Sequence, residues 1–574
     1  MTRGDPPPAR PGRLFPPRVR DDGPELSRAA LYSPPEPGER PRRGCGRRGS
    51  RWAIGDPPPG STRSTMSPRT VSISCGLLAV ACTREPAPGT VVDACAISYG
   101  EPADAPLSNS GPGAPQVTFD AEQLMQRCAF LDGGEEDVYD HHNLLSMYDG
   151  YLLMPWAPEW GGGGLTLWDV SDPCDPIVVG SGTSDRMRET HAIGYAFEGG
   201  QWAVTNYIGG FDEGGAQFWD LSDSSAPIEV STLHLDGFFY PDAYARVTLS
   251  VFWQDPYVFA GGSDNGVYVI DAGDPRSPEL VQQLIFEPIM RVGQVQAVGN
   301  LLIVTEAEGA RTVLLDISDP TDPRPIAGGD FLIHDGEGTT REAYFSNLGG
   351  GYVYYARKDG GGGIIIYDVH DPGAPAYVGD VSSEGNGGYV FIKDDLAFVG
   401  ESSFAAIYDI SDPTSPTPVS DAFLLQGDLD TMTPISNFVV LSVDDEANRD
   451  EGSAIVPFEA EPDTQGPRVT WAWPSDGAEA LPISSRFGVT FSEMVDPKSA
   501  HVNSVRLYRA DEGPGQGGVA ARISVQENVV NLVPSCDLEP DTTYTLEVSA
   551  GGVTDFSGNP VEATFQAQLT TGAL

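Results

Sequence analysis

The sequence predicts an all-β chain, a seven-bladed β-propeller followed by a β-sandwich. Three observations carry that expectation. A phrase of the form apolar-Asp-x-Ser-Asp-Pro recurs six times, and its first aspartates, Asp169, Asp220, Asp271, Asp316, Asp368 and Asp409, stand 41 to 52 residues apart. A period of that length marks a repeat architecture and holds about four short strands with their turns, which is one propeller blade. The strand before each aspartate is apolar without alternation, as in Ile364-Ile365-Ile366-Tyr367. Such continuity requires cover on both faces, as between stacked sheets. Beyond residue 466 the pattern changes to alternating strands at roughly ten-residue spacing, the signature of a sandwich.

Each copy of the phrase supplies its own turn chemistry. Asp316-Ile317-Ser318-Asp319-Pro320 offers aspartate and serine side chains for Asx- or ST-type turns, and the proline removes a donor where pairing stops. A further proline follows seven residues after the first aspartate in every copy: Pro176, Pro227, Pro278, Pro323, Pro375 and Pro416. A seventh copy is degenerate. Phe438-Val439-Val440-Leu441 and Ala454-Ile455-Val456 match two of its strands, but Pro457 takes the place of the aspartate and no fourth strand follows. Gln116-Val117-Thr118-Phe119, ahead of the first blade, is expected to supply that strand and so hide two sheet edges.

The apolar-Asp-Ile-Ser-Asp-Pro-x-x-Pro phrase resembles the LVIVD repeat of bacterial surface and secreted proteins, over roughly residues 140–458. The departures are Ser224 for proline, Gly273 and His370 for serine, and the lost aspartate of the seventh copy. The resemblance implies an extracytoplasmic propeller and no particular reaction. The Phe491-Ser492-Glu493-Met494, Pro540-Asp541-Thr542-Thr543-Tyr544 and Asp555-Phe556-Ser557-Gly558-Asn559-Pro560 phrases resemble the bacterial Ig-like domain. That family implies a spacer or adhesion module. Asp555 and Asn559 read as a turn held by side-chain hydrogen bonds, with a cation contact as the alternative.

The chain therefore divides as follows. Residues 1–65, with 13 Arg and 14 Pro, read as a mis-started or disordered arm, the true start being Met66. Residues 66–82 have a signal-peptide shape ending in Ala79-Val80-Ala81-Cys82. They resemble a lipoprotein signal in which Cys82 is lipidated. Residues 83–115 read as a flexible stalk, 116–458 as the propeller, 459–466 as a linker and 467–574 as the Ig-like domain. An exported chain tends to oxidise its cysteines in pairs, and a bridge between Cys95 and Cys128 would pin the N-terminal segment.

The formal net charge is −48, and after residue 82 the chain holds 75 acidic residues against 20 basic ones. Such a body repels nucleic acid and anionic membrane surfaces. Contact with a membrane is then through a lipid anchor alone. Calcium is compatible with the charge, although the Asp-x-Ser-Asp spacing suits a tight turn better than a calcium loop.

Just before each inner strand, one register carries His142, His191, Arg246, Gln294 and Glu342, with Gly388 in the sixth blade. These residues would gather at one mouth of the central channel, where polar residues collect simply because the mouth is wet, with a ligand site there as the alternative. Two histidines and a glutamate suit a metal and the arginine suits an anion. No catalytic motif accompanies them. The expected function is binding: an exported, lipid-anchored module at the cell envelope or outer-membrane surface, or a secreted one, for a protein or glycan partner. A metal-dependent hydrolase at the channel mouth is the alternative. Aromatic loops at Met154-Pro155-Trp156 and Phe238-Phe239-Tyr240-Pro241 are expected to anchor the partner.

Overall fold

The computed structural model describes residues 95–103, 128–130, 144–156, 162–187, 190–208, 214–237, 249–358, 361–402, 404–419, 429–442 and 453–573. The arm, the signal segment with Cys82, and Gln116 to Phe119 lie outside them.

The described propeller residues form β-meanders of four strands. The first unit runs Ser146–Tyr148, Tyr151–Trp156, Gly163–Asp169, Ile177–Ser184, each strand antiparallel to the next. The meander repeats from Ile193 to His234, Ser250 to Leu284, Val292 to Leu332, Glu342 to Ser382 and Val390 to Pro418. Burial grades outward as the apolar pattern requires. In Gly363–Asp368, a third strand, only the terminal aspartate keeps solvent contact, whereas the fourth strand Glu279–Leu284 is largely exposed. The apolar cores cross unit boundaries. One cluster joins Leu152, Tyr195, Phe398 and Val440, and a second joins Phe259, Val304 and Ile365. Units packed face to face account for strands without alternation.

The recurring aspartates close each unit by a double side-chain turn. The first aspartate accepts the backbone N–H two residues on, at 2.8 to 3.0 Å, in all six copies from Asp169 to Asp409. The second aspartate does the same, as in Asp319 accepting from Thr321 N at 3.0 Å. These turns are exposed, and their carboxylate oxygens are engaged by the chain itself.

A seventh four-stranded sheet is assembled from two parts of the chain. Thr431–Ile435, Phe438–Ser442 and Ser453–Pro457 pair in sequence order, and Cys128–Phe130 completes the sheet by pairing antiparallel with Ser453–Ile455. The donor is therefore Cys128–Phe130, in place of the expected Gln116 to Phe119.

The C-terminal part is a two-sheet sandwich. Ala521–Gln526, Val529–Pro534, Phe487–Phe491 and Val469–Trp473 form one sheet; Gly518–Val519, Val505–Arg509, Thr543–Val548 and Phe565–Thr570 form the other. Phe487, Val489, Phe491, Ile523 and Leu532 from the first pack against Leu507, Leu546 and Val548 of the second.

Two expectations about the N-terminal segment are overturned. Cys95 is disulfide-bonded to Cys536, 441 residues away, and not to Cys128. Ala96–Ile97 adds an edge strand beside Gly518–Val519, so this part of the expected flexible stalk is docked on the sandwich. Tyr99 reinforces it: Leu507 N donates to its hydroxyl at 3.0 Å, and the hydroxyl donates to Val519 O at 3.1 Å. Cys128 meanwhile lies on the seventh propeller sheet. Strand pairing, which the cysteine spacing does not encode, placed the two cysteines in different domains.

Replacing Asp316 by Ala removes one exposed turn bond and should cost about 0.5–1.5 kcal/mol in urea unfolding. Replacing both Cys95 and Cys536 by Ser should cost on the order of 2–5 kcal/mol, because the bridge closes a very long loop.

Candidate functional site

The propeller has two channel mouths, and the sandwich covers one of them. Its first sheet lies face-on against the loops between the first and second strands of successive units. The hairpin Ala521–Gln526 and Val529–Pro534 reaches the inner strands themselves. Ser524 and Val525 pair with Ala196 and Tyr195, extending the second unit into an eight-stranded sheet. Gln526 Nε2 donates to Val251 O at 2.8 Å, Asn531 Nδ2 to Ala297 O at 2.9 Å, and Asn528 Nδ2 to Leu348 O at 2.8 Å. Asn531 Oδ1 accepts from Gly299 N at 2.8 Å. Gly299 is left-handed, with φ 53°, and a Cβ there would lie 2.0 Å from Trp473 O. Only glycine allows that approach.

The same interface buries charge. Lys393, from the sixth unit, donates to both Asp463 and Glu493. Lys498 pairs with Asp149 of the first unit at 2.8 Å, and Arg522 with Asp255 of the third at 3.1 Å. Burial pushes the Glu493 carboxyl up to about 8 against the pull of Lys393, and raises Asp555 and Asp496 to about 6. At the hairpin turn, Glu527 accepts from Asn347 Nδ2 at 2.6 Å, and burial raises it to about 7. Asp463, Glu493 and Asp555 bring carboxylate oxygens within 4.8 Å of one another, a group with the composition of a cation site. The Lys393 ammonium already sits on two of the three. Asp555 also holds its own turn, accepting from Ser557 N and Asn559 N, each at 2.8 Å, while Asn559 Nδ2 donates back to it at 2.9 Å.

The opposite mouth carries the register singled out in the sequence. Of its five side chains, His142 and Arg246 lie outside the described residues. The other three do not share a wet cleft. His191 is 2% exposed and its Nδ1 lies 2.7 Å from the Tyr389 hydroxyl. Its ring stacks on Phe345 at 5.8 Å, and Phe345 stacks on Tyr389 at 4.0 Å. Residues of the second, fifth and sixth units thus meet, and aromatic rings fill the space expected to be water. Gln294 is buried, and among the described residues its Oε1 has no hydrogen-bond partner. Glu342 begins the strand Glu342–Gly349 and is half-buried. Among the described residues, no hydrogen bond or ring contact runs directly from either of these two to His191. Of the proposed aromatic loops, Phe238 to Pro241 lies outside the described residues. Met154-Pro155-Trp156 ends a strand instead, with Met154 buried and Trp156 Nε1 donating to Thr166 Oγ1 at 3.1 Å.

The sealed mouth went unread in the sequence. Gln526, Asn528 and Asn531 look like ordinary turn and strand polar residues. Nothing in their spacing around Glu527 signals burial, since several amides and an acid are what a solvent-exposed hairpin tip ordinarily carries.

Residues 463–571 match the model of the bacterial Ig-like domain family, and residues 384–421 match that of the LVIVD repeat. No curated protein sequence matches the chain. Among solved structures, the chain is similar to the Pseudomonas aeruginosa periplasmic gluconolactonase at 12% identity, covering 48% of this chain and 84% of that one with a TM-score of 0.37. It is similar to BamB from Moraxella catarrhalis at 11% identity, covering 55% and 92%, with a TM-score of 0.35. The computationally designed Ika8 protein matches at 12% identity over 71% and 99%, with a TM-score of 0.37.

Two outcomes are expected at the sealed mouth. Lys393→Met leaves buried carboxylates unpaired and should cost about 3–5 kcal/mol, with Glu493→Gln restoring part of the loss. Glu527 has a folded pKa above its unfolded value, so the stability it contributes is complete below about pH 4.5 and is lost as pH rises through about 7. Glu527→Gln should therefore reduce the fall in unfolding free energy across that window, as read by denaturant titrations at several pH values.

Proposed function

We propose that this chain is an exported, lipid-anchored cell-surface module whose propeller binds a protein or carbohydrate partner. One observation supports this above the rest. The sandwich occupies one face of the propeller, so the opposite face is the broad surface left for a ligand. The connections between units on that face differ in length and composition while the repeated turns keep the frame constant. Leu235 to Leu249 is long, and Ile285 to Arg291 is short. A rigid frame presenting variable loops is the usual construction of a recognition face. A bacterial Ig-like domain beside it fits a surface location.

The hydrolase reading would place a metal on the same face. The engagement of His191 by Tyr389 and Phe345 favours binding over metal ligation there. Glycan-array and envelope-protein capture with the full chain tests the proposal. Glu337→Arg and Thr339→Arg, exposed on the open face, should weaken capture at least tenfold. Glu279→Arg, on an exposed outer strand, should leave it unchanged. Stoichiometric metal that disappears in both His142→Ala and His191→Ala would favour the hydrolase.

A further inference from the structure

We infer that a second disulfide, between Cys128 and Cys174, ties the donated strand of the seventh sheet to the first propeller unit and closes the ring covalently.

One contact recurs between successive propeller units. The fourth-strand residue that pairs with the position two before the repeat aspartate rests on the Asp-Pro turn of the next unit. In the first unit that residue is Gly180, paired with Leu167, and a Cβ there would lie 2.5 Å from the Cα of Ser225 in the turn of the second unit. In the fifth it is Gly379, paired with Ile366, and a Cβ there would lie 3.1 Å from the Cα of Thr414 in the sixth. Ser231 of the second unit, paired with Phe218, donates its hydroxyl to Pro275 O in the third at 2.5 Å. Gly328, in the bulge of the fourth, approaches Gly373 of the fifth in the same way. Ser225, Gly373 and Thr414 each stand five residues after the repeat aspartate of their unit.

The seventh sheet carries the same register into the first unit. Its Val440 and Ile455 share an apolar core with Leu152 and Leu165 of the first unit, so the ring closes between them. Cys128 pairs with Ile455, two positions before Pro457, which takes the place of the aspartate. The residue five after Asp169 in the first unit is Cys174. The repeat thus puts Cys128 at the position that rests on the next turn, and Cys174 at the position it rests on.

Cys174 is disulfide-bonded. Cys95 and Cys536 take each other, and among the described residues Cys128 is the cysteine that remains. The spacing suits the bond. At the Gly180 contact the two Cα atoms lie within about 4 Å, and a disulfide spans about 4.4–6.8 Å between Cα atoms, so a cysteine pair needs only slightly more room. Cys174 N donates to Asp172 Oδ1 at 3.1 Å, which holds the turn in shape.

The bond forms as the two thiols give two protons and two electrons to a disulfide oxidant, which is reduced to two thiols. In a cell this needs an oxidising compartment, as the export reading provides. Its effect is on closure. Cys128–Phe130 is three residues long, and pairing alone is a weak hold on so short a strand. Fastened to the first unit, it becomes a fixed edge onto which Ser453–Pro457 pairs.

The test equilibrates the full chain with oxidised and reduced glutathione, blocks free thiols by alkylation, cleaves at glutamates without reduction and reads the peptides by mass spectrometry. Glu135 and Glu159 separate the two cysteines, so a linked pair of peptides carrying Cys128 and Cys174 is expected. Cys128 found alkylated, or bonded to any other cysteine, overturns the proposal. Because glutathione supplies the oxidant, the outcome does not depend on whether the chain is exported. Cys128→Ser and Cys174→Ser should each speed native-state proteolysis of the seventh sheet at least tenfold, and the double variant no further, since either change removes the same bond. Unchanged rates, or effects that multiply in the double variant, overturn the role in closure. The peptide map is made on the unaltered chain and holds whether or not the variants fold.

Discussion

Inner strands of a propeller present backbone groups toward the channel, and those groups need partners. Here the partners come from another domain. Val251 O, Ala297 O, Gly299 N and Leu348 O, in three different units, are each met by an amide side chain of one sandwich hairpin. A fourth unit is met by strand pairing at Ala196. Buried backbone polar groups without partners would cost about 1–3 kcal/mol each, so this complementarity holds the two domains in one arrangement. The covered mouth and the buried charges around it follow from it.

Burying that interface brings an electrostatic burden with it. The body of the chain is strongly acidic, yet Lys393, Lys498 and Arg522 are drawn to the contact, each onto carboxylates of the propeller or the sandwich. The raised pKa of Glu493 and Glu527 records how far those carboxylates are removed from water. Buried ion pairs of this kind add little net stability, but breaking one is expensive. The open mouth is of a different kind. His191, Phe345 and Tyr389 pack across the channel from three units, so the space behind the open face is closed by aromatic contact.

Local chemistry made much of the fold legible. Asp316 and its five counterparts needed only their own neighbours to form a turn, because an aspartate side chain reaches the N–H two residues on in any context that allows the bend. Continuous apolar runs such as Ile364 to Tyr367 announced sheets covered on both faces. The candidate site was read less well. His191 stands just before the inner strand of its unit, and its surroundings depend on residues nearly two hundred positions away, Tyr389 among them. A register drawn from one position per unit cannot say whether water or an aromatic ring fills the space between units.

By itself, then, the sequence determined the repeating unit, the sandwich that follows it and the turn chemistry that punctuates them, since each rests on contacts within a few residues or on the period of the apolar pattern. Tertiary structure alone decided that Cys95 meets Cys536, that Cys128–Phe130 completes the last sheet, and that a hairpin ending at Glu527 covers one mouth of the channel. Those pairings join distant segments through exposed strand edges and amide side chains. Many edges and many amides are chemically equivalent along this chain, and only the assembled shape selects among them.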